Sequence, residues 1–169
     1  MYQSIALKQE KPFWLRDIVL VFAASILIAL FGPLSFKLPF SPVPIATQPH
    51  VCLFLGAVLG KKRGALAVLL FLIQGACLGF PIFSCGSASI VGPTGGYLLG
   101  YVLGAYVTGL FAERMKLSSA LVFGNGAIYL LGLPWLATYI GMGNAILLGF
   151  IPFILGDILK LSAIAKILK

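Results

Sequence analysis

The sequence predicts an all-α, polytopic membrane protein with six transmembrane helices. Charged residues make up 9% of the 169 positions and apolar residues 60%, whereas an ordinary soluble domain is about 25% charged. The apolar residues form long runs without the alternation that is typical of strands in a membrane β-barrel. Because lipid offers no hydrogen-bond partners, such runs have to be helices that pair their own backbone groups.

Five apolar stretches are separated by turn-forming or basic residues, and the rest of the chain has room for a sixth crossing. The predicted helices 1 to 5 cover Asp17–Phe31, Gln48–Gly60, Gly64–Leu78, Gly96–Ala112 and Ser118–Leu133. The remainder is interpreted as an outer lead-in, Trp135–Phe150, followed by helix 6, which starts at Pro152 because proline suits the first turn of a helix. Several stretches are shorter than the about 20 residues of an untilted crossing, which predicts a thin or tightly packed body.

The basic residues predict an orientation in which both termini are inside. The chain is then a single transmembrane domain over residues 1–169, with residues 1–16 as a cytoplasmic tail. The basic residues on the inner side are Lys8, Lys11, Arg16, Lys61, Lys62, Arg63, Arg114, Lys116, Lys166 and Lys169. Inner segments of membrane proteins are rich in Lys and Arg. The net charge of +8 therefore indicates membrane orientation and not a nucleic-acid surface.

Small residues at intervals of four predict close helix packing. Gly96, Gly100 and Gly104 lie on one face of helix 4, where they allow another helix to approach to backbone contact. Ser25 and Ala29 form a similar pair on helix 1. That pair either packs inside the bundle or meets another protein.

Asp157 and Lys160 are the most informative polar residues, because each charge near the bilayer centre costs about 2.5–3.5 kcal/mol. Their spacing places them on one helix face, where they partly neutralise each other. A structural ion pair is one interpretation, but such pairs seldom repay their desolvation. We favour a polar site that faces a cavity, with Asp157 about two turns in from the outer surface.

Two outer segments are candidates for ligand contact. Ser41–Pro44 is stiff because of its prolines, and the long segment 79–96 is rich in Gly, Ser and Pro. Glycine allows close backbone approach to a ligand, although a mobile external turn has the same composition. A single histidine, His50, cannot form a metal site alone, and no catalytic triad or paired carboxylates are evident. We predict no enzymatic activity, no metal and no cofactor.

Five motifs in order along the chain closely resemble the BioY family, the biotin-specific S components of energy-coupling-factor (ECF) transporters. The motifs are Ser41-Pro42-Val43-Pro44-Ile45 with Gln48, Gly56 to Gly64 with Lys62-Arg63-Gly64-Ala65, Gly79-Phe80-Pro81-Ile82-Phe83, Gly92-Pro93-Thr94-Gly95-Gly96-Tyr97-Leu98-Leu99-Gly100, and Pro152-Phe153-Ile154-Leu155-Gly156-Asp157-Ile158-Leu159-Lys160. The resemblance runs from about residue 18 to the C-terminus. It departs from the family pattern at Pro49-His50 and at Ser84–Ser89.

The resemblance implies a six-helix, vitamin-binding subunit of the bacterial plasma (inner) membrane, with the bundle of an ECF S component. Members of the family capture biotin from outside and associate with a transmembrane coupling subunit and two ATPases, and some members are reported to transport biotin alone. The family's acidic and basic site residues match Asp157 and Lys160 here. The small-residue face that meets the coupling subunit matches Ser25 and Ala29.

The expected ligand-binding residues are Asp157, Lys160, Ser84, Ser87, Tyr97 and Gln48. In this hypothesis Asp157 accepts a ureido N–H of biotin, while Lys160 donates to the ureido carbonyl or balances nearby charge. Tyr97 walls the apolar ring. The alternatives are an S component for a different vitamin and a stand-alone transporter of a small solute. A channel would need a polar stripe across the whole membrane, which the sequence does not show.

Overall fold

The computed structural model describes residues 15–36, 39, 41–78 and 91–167 of the chain. The helices in these ranges are α1 (Leu15–Leu30), α2 (Gln48–Leu59), α3 (Lys61–Leu78), α4 (Gly95–Ala112), α5 (Leu117–Ile140), α6 (Met142–Gly149) and α7 (Ile151–Ile167). Two short strands, β1 (Ser35–Phe36) and β2 (Ile45–Ala46), pair antiparallel between α1 and α2. The all-α prediction is confirmed, and this small hairpin is an addition to it.

The main departure from the predicted elements lies in helix 5. The sequence predicts an end at Leu133, but α5 continues through Pro134 to Ile140. Proline is tolerated inside membrane helices because neighbouring helices and local adjustments satisfy the freed backbone groups. The helix instead ends at Gly141, which has a φ of 80° and reaches this left-handed region without the penalty of a side chain. The lead-in is therefore α6 alone, shorter than the predicted Trp135–Phe150.

Contacts between charged residues bring three helix ends together at one end of the bundle. Arg63, near the start of α3, donates a hydrogen bond of 2.9 Å to Asp17 near the start of α1. Lys61 lies 4.0 Å from Glu113, which follows the end of α4. This end therefore carries the basic residues around Lys61 and those that follow α4.

Other contacts bring the opposite ends of the helices together. The indole nitrogen of Trp135, late in α5, donates to the carbonyl oxygen of Gly92, which precedes α4. Ser41, in the hairpin that follows α1, donates to the carbonyl oxygen of Leu148 in α6. The start of α4 and the late part of α5 thus lie at the same end of the bundle, as do the hairpin and α6.

Among the described residues, α4 and α5 are each long and apolar enough to cross a membrane. The bent stretch 142–167 passes the same test only as a pair of helices, which is either one broken span or a re-entrant loop. The helices α1 and α2 have 16 and 12 residues, and α3 begins with three basic residues. These short elements agree with a thin, tightly packed body. The count of six crossings and the N-in, C-in orientation remain predictions.

The glycine stripe of α4 packs against α5. A Cβ atom added to Gly100 would lie 2.8 Å from the carbonyl oxygen of Ile128, and one added to Gly96 would lie 2.2 Å from Cβ of Trp135. Real Cβ atoms do not approach other atoms this closely. The stripe therefore serves internal packing, as the spacing predicts.

Candidate functional site

A cavity lies at the hairpin end of the bundle. Its empty space, counted together with the open mouth, is about 660 Å³. Its walls come from β2 and the segment before it, from α2, α4 and α5, and from the region where α6 meets α7. The polar and aromatic residues of this wall include Gln48, Tyr97, Tyr101, Asn125, Tyr129 and Asp157. A mostly apolar pocket with a few convergent polar groups is the usual form of a small-molecule site.

Asp157 is the centre of the polar cluster in this wall. One of its carboxylate oxygens, Oδ2, accepts hydrogen bonds from Asn125 Nδ2 at 2.9 Å and from the Tyr129 hydroxyl at 2.6 Å. The other oxygen, Oδ1, lies 3.1 Å from Nε2 of His50. Asp157 is 8% exposed, and a buried carboxylate is tolerated when such donors surround it. Groups from α2, α5 and α7 therefore meet at one acidic side chain.

Tyr97, near the start of α4, forms the aromatic part of the wall. Its hydroxyl donates to the carbonyl oxygen of Gly149 in α6 at 2.9 Å. A Cβ added to Gly132 would lie 2.5 Å from the Tyr97 ring, so the ring rests directly on the backbone of α5. The ring of Tyr129 meets Tyr97 edge to face, with ring centroids 6.2 Å apart. The Tyr97 side chain thus fixes α4, α5 and α6 together while it faces the cavity.

Gln48 begins α2 and lines the same cavity. It is 1% exposed, and its side-chain nitrogen donates to the carbonyl oxygen of Ile28 at 3.3 Å. Ile28 lies in the last turn of α1, and its carbonyl oxygen also accepts from the backbone N–H of Phe31 at 3.2 Å. Gln48 therefore links the end of α1 to the start of α2 at the cavity.

Lys160 lies one turn beyond Asp157 on α7 but outside the cavity wall. Its ammonium group donates to the carbonyl oxygen of Ala46 in β2 at 3.1 Å. Asp157 is 3.1 Å from His50, so the two predicted site residues have different partners. These separate partners argue against the alternative interpretation, a structural ion pair between Asp157 and Lys160. In this structure Lys160 holds β2, one wall of the cavity, against α7.

The remaining predicted site residues lie elsewhere. Ser84 and Ser87 fall outside the described residues. On α1, Ser25 is fully buried and donates to the carbonyl oxygen of Phe22 in its own helix. Ala29 is half-buried and packs against the core. Of this pair, Ala29 alone is partly accessible in the isolated chain, so a partner that reaches Ser25 requires α1 to move.

Three residues of the site were missed in the sequence. Asn125 and Tyr129 are spaced by four in α5, a separation that places them on one helix face, and an amide in an apolar helix was a usable signal. In the sequence, His50 is a single histidine without the partners of a metal site. The position of His50 beside Asp157 depends on how α2 and α7 pack. The residues next to His50 in the sequence do not reveal that packing.

The fold and the site together define a polytopic membrane protein with a ligand cavity at one end of its helical bundle. The sequence model of the BioY family matches residues 3–169. The chain belongs to the BioY family. Membership of a family of transport components agrees with the prediction that the chain is not an enzyme.

Relatives and a solved structure agree with this assignment. A biotin transporter BioY of Thermotoga maritima is 40% identical over 156 residues, which cover 87% of this chain and 89% of that protein. A probable biotin transporter BioY of Pyrococcus horikoshii is 39% identical over 142 residues, which cover 79% of this chain and 86% of that protein. The crystal structure of an S-component for biotin from an ECF-type ABC transporter has a TM-score of 0.75 and 26% identity, covering 90% of this chain and 88% of that chain.

Proposed function

We propose that this chain takes up biotin as the membrane-embedded binding subunit of an ECF-type transporter. The observation that carries the proposal is the carboxylate of Asp157, buried in the wall of an otherwise mostly apolar cavity, in a chain of the BioY family. The relatives named as biotin transporters and the S-component for biotin of similar fold support this choice of ligand.

The chemistry of biotin matches the cavity wall. Its ureido ring offers two N–H donors and a carbonyl acceptor, its sulfur ring is apolar, and its tail ends in a carboxylate. Asp157 accepts a ureido N–H, and Tyr97 lies against the apolar ring. Gln48, Tyr101 and Tyr129 line the same cavity and add polar contacts. Ser84 and Ser87 supplement them. Lys160 reaches the ligand if its ammonium group leaves Ala46, one wall of the same cavity.

In this proposal the energy for transport comes from other polypeptides. A transmembrane coupling subunit binds the chain through the α1 face that includes Ala29 and Ser25, and ATPase subunits drive the release of biotin inside. Because Ser25 is fully buried in the isolated chain, α1 shifts when the coupling subunit binds. The use of this face is tested by co-purification with a coupling subunit. The experiment compares the wild-type chain with Ala29→Leu.

The binding site is tested with a matched pair of buried aspartates. Asp157→Asn removes the charge at the cavity, and biotin affinity in purified protein is expected to fall at least about tenfold, since hydrogen bonds to charged groups contribute about 1.5–3 kcal/mol. Asp17→Asn is the control, because Asp17 is also buried but pairs with Arg63 at the other end of the bundle. Calorimetric titration measures the biotin affinity of both variants. Unchanged affinity in Asp157→Asn contradicts the assignment of the site.

The ligand itself is tested independently of any variant. The protein is purified without added vitamin, and mass spectrometry identifies what it retains. Thermal shift with biotin, riboflavin and thiamine then distinguishes a biotin subunit from an S component for a different vitamin. Stabilisation by a vitamin other than biotin, without an effect of biotin, overturns the proposal.

A further inference from the structure

His50 is a buried polar side chain that the proposed ligand contacts do not use. It is the sole histidine of the chain, lies in the first turn of α2 and is 3% exposed. Nδ1 of its ring has no hydrogen-bond partner among the described residues, and the one polar atom close to Nε2 is a carboxylate oxygen of Asp157. A buried polar group is costly unless it has a partner, so the placement of this ring calls for a physical explanation.

The surroundings of the imidazole point to Asp157. Nε2 of His50 lies 3.1 Å from Oδ1 of Asp157, the carboxylate oxygen that Asn125 and Tyr129 leave open. Asp157, Asn125 and Tyr129 line the cavity, whereas His50 does not. An effect of His50 on a ligand in the cavity therefore has to pass through Asp157.

The protonation chemistry of the ring favours a donor toward the carboxylate. An imidazole with its proton on Nε2, or with both nitrogens protonated, directs an N–H toward Oδ1, while the other neutral tautomer would set a lone pair against a carboxylate oxygen. A carboxylate has about four acceptor positions. Asn125 and Tyr129 occupy two of them and His50 a third, which leaves one for a ligand N–H.

We infer that His50 is a positioning residue of the ligand site, which fixes Oδ1 of Asp157 so that the carboxylate presents one acceptor position to a ureido N–H. The inference rests on the proposed function, because biotin supplies that N–H. The competing explanation is packing, in which His50 only fills space between α2 and α7. An apolar residue of similar size would then serve equally well.

Two substitutions separate positioning from packing. His50→Leu keeps the volume but removes the donor, and biotin affinity by calorimetry is expected to fall about tenfold. His50→Gln keeps an N–H donor of similar reach, and its affinity is expected to stay within about threefold of wild type. Thermal unfolding without ligand shows whether each variant folds. If His50→Leu does not fold, His50→Met makes the same comparison, since methionine adapts to irregular spaces.

A double-mutant cycle with Asp157→Asn gives the decisive measurement. If His50 acts through the carboxylate, His50→Leu has little further effect on biotin affinity in the Asp157→Asn background, less than about threefold. An equal loss in both backgrounds overturns the inference, as does equal affinity of His50→Leu and wild type, or a loss in His50→Gln as large as in His50→Leu. Wild-type protein that does not bind biotin overturns the proposed function instead.

Discussion

At the scale of single residues, the site depends on keeping one carboxylate charged inside a helical bundle. A charged side chain within a membrane is costly and is usually found facing a cavity or a partner. Asp157 faces the cavity and also has partners, because donors from α2 and α5 surround its carboxylate. The donors orient the carboxylate before any ligand arrives. Such preorganisation lowers the entropic cost of binding.

The hydroxyl of Tyr129 makes the shortest of these contacts, at 2.6 Å. We expect Tyr129→Phe to lower the free energy of unfolding by about 1.5–3 kcal/mol, because a buried charge loses a hydrogen bond. Biotin affinity is expected to fall as well, because the carboxylate is held less firmly. Thermal unfolding and calorimetric titration measure the two effects.

Tyr106→Phe is the matched control for this variant, since Tyr106 is 41% exposed. It removes the same hydroxyl from a helix face away from the core. Equal behaviour of the two variants would show that the Tyr129 hydroxyl does not support Asp157.

The residues of the site could be predicted from the sequence where a charge or a motif marks them. Asp157 stands out as an acidic residue in an apolar stretch, and Tyr97 and Gln48 stand in motifs of the family; the structure places all three at one cavity. Tyr129 and His50 could not be found in this way. Their contact with the carboxylate depends on the rotation and register of helices far apart in sequence, which one sequence does not specify.

At the scale of elements, the packing of α4 on α5 holds the two halves of the cavity wall at a fixed distance. Tyr97 comes from α4 and Tyr129 from α5, and their rings meet edge to face. The glycine stripe allows this close approach, because small residues let membrane helices pack at backbone distance. The geometry of the site therefore depends on residues that do not touch the ligand.

Gly100→Ala tests this dependence. The added Cβ would lie 2.8 Å from the carbonyl oxygen of Ile128, so the helices have to separate, and overpacking of this kind typically costs about 1–3 kcal/mol. We expect a lower thermal unfolding temperature and weaker biotin binding. Gly126→Ala is the control on α5, because a Cβ there meets nothing within 4 Å. The control is expected to be neutral or to stabilise by about 0.5–1 kcal/mol, since alanine favours the helix.

Gly100→Ala is thus expected to lower the free energy of unfolding, whereas Gly126→Ala is expected to leave it unchanged or to raise it. A Gly100→Ala variant as stable as wild type would mean that the α4–α5 interface accommodates a methyl group. The glycine stripe would then not determine the distance between the walls of the cavity.

Element positions were largely predictable, because hydrophobic runs and breaks determine most helix ends. The exception is the end of α5, which the sequence predicts at Leu133, just before Pro134, and which lies at Ile140. Proline is a weaker signal inside a membrane helix than in water, since packed neighbours compensate for the missing backbone donor. The strands of the hairpin were not predicted, because two residues each give no periodic signal.

At the scale of the whole molecule, the cavity and the basic residues lie at opposite ends of the bundle. The contacts of Asp17 with Arg63 and of Lys61 with Glu113 define the basic end, and the hairpin lies at the other end with the cavity. If the basic end faces the cytoplasm, as such residues do in membrane proteins, the cavity opens outward. That orientation suits a subunit that captures a solute from outside.

Orientation is tested with two methionines at opposite ends, Met115 between α4 and α5 and Met142 at the start of α6. Both are exposed, at 37% and 54%, and their replacement leaves the basic residues that set orientation unchanged. Each is changed to cysteine after the native cysteines Cys52, Cys77 and Cys85 are replaced by alanine. An impermeant maleimide on intact cells is expected to label Met142→Cys and not Met115→Cys.

The two introduced cysteines lie at opposite ends of the bundle. The result is therefore which of them is labelled, and not how strongly it is labelled. After permeabilisation both are expected to react, which controls for burial in lipid or protein. Labelling of Met115→Cys in intact cells would place the basic end outside and contradict the N-in, C-in prediction. The cavity would then open to the cytoplasm, where capture of biotin from outside would require the site to change its accessibility first.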